Sequence, residues 1–330
     1  MERNQSVDTL RTIATLLVLL LHASANYVIQ RKAAGVYDSV FWTGNIIDSF
    51  CRLAVPIFVM ISGRFLLGRS ESFAISYKKR AVRVLIPLIV WCLIYLIYRL
   101  VFLGNSNLSL PTLFKLIQPF YHLWYLFMIL GLYVITPVLN LCIEQISRRS
   151  LYYVAFAFLL IGMFLTAYDL KLGNKPFFIL WFINYLGYFL LGYLLVGARK
   201  VSLFILIIGY LVSSLLIAVL SYYTASRLNH LYFYEYLSPL VVIGALSFYK
   251  IFCQLTISKN ILSNIAHLTF GVYLTHAGIL DLFNRILKSR NLNFLDDPLI
   301  GIPVKFVIVL AVSLFVSAAI YKSRMLRKII

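Results

Sequence analysis

Runs of about twenty mostly apolar residues recur from one end of this chain to the other, and that is the length a helix needs to cross a bilayer. Ten are legible, at roughly 9–29, 44–67, 81–103, 122–143, 151–168, 177–197, 202–222, 236–253, 261–284 and 301–321. Breakers fall between them: Gly104-Asn105, Gly173-Asn174-Lys175-Pro176 and Asp296-Asp297-Pro298. Inside a bilayer no water satisfies backbone groups, so each run must satisfy its own as a helix. Of the 330 residues 62% are hydrophobic and 12% charged, where a soluble domain is about a quarter charged. The expected fold is an all-α integral membrane protein, a bundle of about ten transmembrane helices forming one domain over 1–330.

The formal charge is +19, from 30 Lys and Arg against 11 Asp and Glu. In a soluble protein this would suggest nucleic acid as a partner. Here the basic residues collect in short loops between apolar runs, where they set orientation, so nucleic acid is not expected as a partner. With the N-terminus inside, one side of the membrane receives Arg3, Arg69, Lys78, Lys79, Arg80, Arg148, Arg149, Arg199, Lys200, Lys259, Lys322, Arg324, Arg327 and Lys328. The other receives Arg31, Lys32, Lys115, Lys171, Lys175, Arg227, Arg285, Lys288 and Arg290. The larger clusters are on the first side, so both termini are expected in the cytoplasm. The N-terminus mimics a signal peptide ending at Ala23-Ser24-Ala25, but its apolar core is long, and it is expected to be retained. Cys51, Cys92, Cys142 and Cys253 lie in apolar runs without metal-ligand spacing and are read as small packing residues, not disulfide partners. Many of the 23 Tyr and 25 Phe are expected in interfacial belts.

Ionisable residues inside such runs are costly and normally mark a cavity or a path. The first run carries three: Asp8 and Arg11 at its entry and His22 within it. Arg11 and His22 are about three helical turns apart and share a face, with Asp8 close to it. The plain alternative is a basic flank plus a histidine bonded to a neighbouring helix. A second cluster, Lys78-Lys79-Arg80 and Arg83, opens the third run. At three apart, Arg80 and Arg83 share a helix face, and their planar donor forks suit phosphate. By charge alone, positive-inside topology or contact with anionic headgroups explains the cluster better, but Arg83 enters the apolar run and must find a partner there. A third set gathers on the outer side: His22 past the middle of its run, His122 at the outer start of its run and His276 in the outer half of its run. Imidazoles there can move protons, though for His122 and His276 hydrogen bonding to a neighbouring helix is an equally good role. The histidine spacing suggests no metal site. In the second run, Pro56 and Gly63 should loosen the helix, Arg52 should meet an acidic group or substrate, and Arg64 should snorkel to the inner surface. Asp48 and Glu235 read as solvated outer acids. The chain holds no Gly-rich nucleotide loop, serine nucleophile elbow or carboxylate dyad.

Taken in order, these segments resemble the acyltransferase-3 family of multi-span membrane enzymes. The carriers are Asp8-Thr-Leu-Arg11 followed by His22, Arg80 and Arg83, Pro56 to Ser62-Gly63, His122-Leu-Trp124-Tyr125, and Tyr273-Leu-Thr-His276. Within the family the pattern looks most like the stand-alone O-acetyltransferases of enterobacterial common antigen. Arg64 departs from it, standing where the family more often has an aromatic or apolar residue. The resemblance implies a multi-pass protein of the bacterial inner membrane. Such an enzyme would move an acyl group, usually acetyl, from cytoplasmic acyl-CoA to a hydroxyl of a surface or lipid-linked carbohydrate. It implies no bound cofactor beyond the acyl-CoA donor, and membrane lipids as partners; a homo-oligomer is compatible with it. Carried over by position, His22 is the catalytic base or acyl relay, with Arg11 and Asp8 shaping the site beneath it. Arg80 and Arg83 hold donor phosphates, and Arg52, His122, Trp124 and His276 are cavity candidates. The alternative function is a transporter or flippase of lipid-linked sugar, against which stands the lack of an inverted repeat or paired broken helices.

Overall fold

The computed structural model describes residues 4–69, 71–103, 120–173, 181–290 and 293–330, all helix, turn or connecting segment with no strand among them. Arg3, Gly104-Asn105, Lys115, Asn174-Lys175-Pro176, most of the 104–121 connection and the start of the 177–197 run lie outside the described residues. In chain order the helices are α1 (Gln5–Ala33), α2 (Ser39–Cys51), α3 (Ala54–Leu66), α4 (Phe73–Arg80) and α5 (Ile86–Leu103). There follow α6 (Trp124–Gln145), α7 (Arg148–Leu172), α8 (Trp181–Asn184), α9 (Leu186–Leu194) and α10 (Leu203–Leu228). The last are α11 (Pro239–Gln254), α12 (Ile261–Ile265), α13 (Thr269–Ser289) and α14 (Pro298–Lys322).

Among the described residues eight helical stretches are long and apolar enough to cross a membrane, so the protein is multi-pass. The other two expected runs are helical as well, but fall short in different ways. The sixth is the short α8 and α9, and the ninth is α12 and α13, where His276, Asp281, Asn284 and Arg285 dilute the apolar character. His267 beside α12 meets Tyr321 at the end of α14, with ring centroids 4.8 Å apart. Thr12 on α1 donates to the Leu262 carbonyl at 2.8 Å, so the chain's two ends lie at one end of the bundle. All four cysteines are free, and Cys142 is exposed, not a packing residue.

α1 and the α2–α3 pair form the centre. In the most apolar stretch of Ser39–Leu66, 67% of residues are buried, against 22% in Arg148–Leu172, whose Phe156, Leu160 and Phe164 face outward. α1 starts at Asn4, whose side chain accepts from the Val7 N–H at 3.1 Å. Its entry is then fixed by polar staples to the segment after α11. Ser6 donates to the Leu255 carbonyl at 2.8 Å and accepts from the Ile257 N–H at 3.0 Å, and Asn260 donates to Thr9 at 3.0 Å. These bonds set the height and rotation at which Arg11 enters the bundle.

Two prolines shape the site. Pro56 has no N–H for the Arg52 carbonyl, and its ring crowds that carbonyl. The chain therefore turns at Arg52 and Leu53, and α3 begins at Ala54. Pro87 bears the same relation to Arg83, and the helix there widens into a π-turn over Ala81–Leu85. One extra residue per turn lets the carbonyl ladder pass over the proline, as at many functional sites. Arg80 and Arg83 are therefore not related by an ordinary α-helical face as their spacing suggests.

Gly63 does not loosen its helix; it lets α3 touch α9 backbone to backbone. A Cβ there would collide with the Phe189 carbonyl, and one on Gly192 would collide with the Met60 backbone. The Tyr249 hydroxyl seals the contact by donating to the Gly192 carbonyl at 2.8 Å. Gly63→Ala or Gly192→Ala should cost about 1–3 kcal/mol through overpacking, read as a lower melting temperature of the detergent-solubilised protein. Unchanged melting in both variants would mean that α3 and α9 separate freely.

Candidate active site

A cavity of about 640 Å³ opens between α1, α3, the π-turn, α6 and the start of α13. Among its described lining residues are the cations Arg11, Arg69, Lys79, Arg80 and Arg83 and one carboxylate, Glu71. Lys79 donates to Glu71 at 2.9 Å, and this bond holds the half-buried Glu71 carboxyl below the usual carboxylate range. Arg11 lies 3.4 Å from Asp8, the i,i+3 contact expected from their spacing. Arg80 is 7% exposed, and its Nε and Nη1 are buried without a hydrogen-bond partner among the described residues. An anion with several oxygens would satisfy them, since buried guanidinium N–H groups are costly to leave unmet. Arg83 is exposed at the same cavity, where Ser62 and Tyr133 also face each other at 3.3 Å.

Further along α1 a chamber of about 30 Å³ adjoins His22, His122, Trp124 and Tyr236. Phe58 from α3, Tyr125 from α6 and Tyr273 from α13 line both spaces and form the partition between them. Their rings adjoin, Phe58 tilted against Tyr125 at 6.1 Å and Tyr125 edge-on to Tyr273 at 5.6 Å between centroids. The Tyr273 hydroxyl donates to the His122 carbonyl and so fixes the turn that precedes α6. Trp124 stacks on Tyr236 at 5.7 Å and closes the chamber's other side.

The structure joins three histidines that the sequence holds far apart. His276 lies between the others, 5.3 Å from His22 in a stacked arrangement and 5.2 Å from His122 edge-on. His276 Nδ1 is 2.6 Å from the Tyr273 carbonyl, which can only accept, so Nδ1 carries the proton and Nε2 presents a lone pair. That Nε2 is buried with no partner among the described residues. His22 is half-buried, and its ring also meets Tyr121 at 5.1 Å. Among the described residues no group of three or more His, Cys, Asp or Glu is placed to hold a metal ion. The row of imidazoles is suited to accepting and passing protons instead.

Arg52 falls on neither cavity wall. Its Nε lies 2.6 Å from Asp48 Oδ1, and its guanidinium sits 3.9 Å over the Tyr234 ring. Asp48 is fully buried, which overturns its reading as a solvated acid; the i,i+4 spacing to Arg52 draws it inward. Glu235 is exposed as expected. Arg64 Nη1 is 4.0 Å from Cys253 Sγ. Sequence reasoning had no means of singling out Phe58, Tyr125 and Tyr273 as a partition among so many aromatics. All three do lie within the segments that carry the family resemblance, which was the available hint.

Set against known families, the chain matches the acyltransferase-3 family, described as an acyltransferase domain, over residues 4–322. No curated protein and no solved structure matches it.

Proposed function

The chain belongs to the acyltransferase-3 family and is an acyltransferase, and from that premise we propose its donor, acceptor and direction of transfer. The donor is acyl-CoA, acetyl-CoA first, entering from the cytoplasmic side. The acceptor is a hydroxyl of a surface or lipid-linked carbohydrate, of the enterobacterial common-antigen kind, on the far side of a bacterial inner membrane. Family membership removes the ground for the carrier reading. One observation carries the proposal: a cation-lined cavity and a histidine-lined chamber share a single aromatic partition. Arg80 and Arg83 would take the donor's phosphates, with Arg11 deeper in the same space. From Arg11 to His22 is about 16 Å along α1, a distance that an extended pantetheine arm covers.

At the chamber, His22 would accept the proton of the acceptor hydroxyl as its oxygen attacks the thioester carbonyl. A C–O bond forms, the C–S bond breaks, and the thiolate leaves as CoA thiol with one proton gained. His276, held in one tautomer by Tyr273, would keep His22 oriented and offer Nε2 as a second proton acceptor. Asp8 would hold Arg11 in place.

The test is transfer from labelled acetyl-CoA by the full-length protein in proteoliposomes, with mass spectrometry of envelope glycans from deletion and parent strains. Arg80→Gln removes charge-assisted bonds of about 1.5–3 kcal/mol and should raise KM for acetyl-CoA about 10- to 150-fold. An unchanged KM together with unaltered glycan acetylation would refute the proposed donor site.

A further inference from the structure

A second basic cavity, of about 670 Å³, lies between α7, the loop over 195–201, α10 and α11. It is at the same end of the bundle as the donor cavity, because α11 leads directly into the segment stapled to Ser6. Its described lining contains Arg148, Arg199 and Lys250 and no carboxylate. None of the three makes an ion pair among the described residues.

Lys250 is the informative member. It is 5% exposed, and its Nζ donates to the Leu195 and Ala198 carbonyls at 3.1 and 3.0 Å. Carbonyl dipoles relieve part of the cost of burying an ammonium but supply no counter-charge. Arg148 Nη2 does similar work, donating to the Leu194 and Val196 carbonyls at 2.7 Å each, while Nε and Nη1 have no partner among the described residues. Arg199 is exposed at the mouth. A pocket with three cations, one of them buried, and no acid is complementary to an anion.

The walls say which anion. Leu195, Leu206 and Leu246 give the cavity an apolar side. α10 begins beside it at Leu203, and Leu203, Phe204 and Ile205 are 41, 70 and 61% exposed, so the cavity sits where α10 enters the lipid. A soluble phosphate has no use for those leucines, whereas a phospholipid places a phosphodiester and its first methylenes at this height. We propose that this cavity binds the headgroup of an anionic phospholipid, with the phosphate between Arg148, Arg199 and Lys250 and the glycerol and acyl stems along Leu206 and Leu246. The site is separate from the acyl-transfer machinery and does not depend on its assignment.

The experiment uses the full-length protein in detergent, offered phosphatidylglycerol or phosphatidylcholine, with retained lipid counted by native mass spectrometry and melting temperature followed in parallel. Wild-type protein should retain phosphatidylglycerol preferentially and melt higher with it. Arg199→Gln, at a side chain with no hydrogen bond or ion pair among the described residues, should cut the preference about fivefold, the effect of one charge at the surface. Arg148→Gln combined with Arg199→Gln should abolish it, and Lys322→Gln, an exposed cation elsewhere, should leave it intact. Equal retention of the two lipids, or an equal loss in Lys322→Gln and Arg199→Gln, overturns the site. Millimolar inorganic phosphate reproducing the melting shift overturns the lipid assignment and leaves a soluble anion.

Discussion

His22→Ala is expected to lower the turnover of acyl transfer by about 10² to 10⁴, the range that a positioned general base supplies. The effect should fall on kcat and leave KM for acetyl-CoA nearly unchanged, because the cations proposed to hold the donor line the other cavity, where Arg11 stands about 16 Å from His22 along α1. That split separates His22 from Arg80, whose loss should act mainly through KM. Removing His22 also takes away the ring on which His276 stacks, at 5.3 Å, so melting of the variant must be followed beside activity. His276→Ala should give a smaller fall, since its Nδ1 bond to the Tyr273 carbonyl makes it a positioning residue for His22. If His22→Ala transferred acetate at the wild-type rate while staying folded, the chamber would not be where the chemistry occurs.

What the sequence disclosed was local. Apolar runs, the Asp8–Arg11 spacing and the Arg80 and Arg83 pair could all be read, because each depends on residues within a turn or two of one another. Even there, proline altered the geometry: Pro87 turned the stretch between Arg80 and Arg83 into a π-turn, and Pro56 moved the break in the second run back to Arg52. That His22, His122 and His276 gather at one depth could be read from their places in the runs, but their contact could not, because positions 22, 122 and 276 meet only through packing among α1, the turn before α6 and α13. Aromatics were harder still. Tyr and Phe are so numerous that belt residues, buried packing residues such as Tyr188 and Tyr249, and the partition at Phe58, Tyr125 and Tyr273 look alike in one dimension. Asp48 was recoverable, since a carboxylate four residues before an arginine on an apolar helix has an available partner.

That Asp48–Arg52 pair carries the second large expectation. Arg52 ends α2 where Pro56 forces the chain to turn, and its guanidinium reaches back 2.6 Å to Asp48, over to the Tyr234 ring, and to the Tyr234 carbonyl at 3.3 Å. Tyr234 in turn donates to Asn45 Oδ1 at 2.6 Å, and Asn45 donates to the Ala218 carbonyl on α10 at 2.9 Å. One cation therefore ties α2, the segment before α11 and α10 together. Arg52→Ala leaves a carboxylate buried without its cation and should cost about 3–5 kcal/mol, enough to lower the yield of folded protein sharply. Asp48→Asn strands the arginine and should cost a comparable amount, although the cation–π contact with Tyr234 partly shelters it. Replacing both, as Asp48→Leu with Arg52→Met, removes the two charges together and should recover most of the loss, because a buried pair contributes little net stability over apolar residues of similar size. Melting of the three variants in detergent decides the matter. If the double variant were as unstable as the singles, the pair would be acting through its bonds to Tyr234 and not through charge balance. If Arg52→Ala melted like the wild type, the ion pair would hold nothing, and the turn at Arg52 would rest on Pro56 alone.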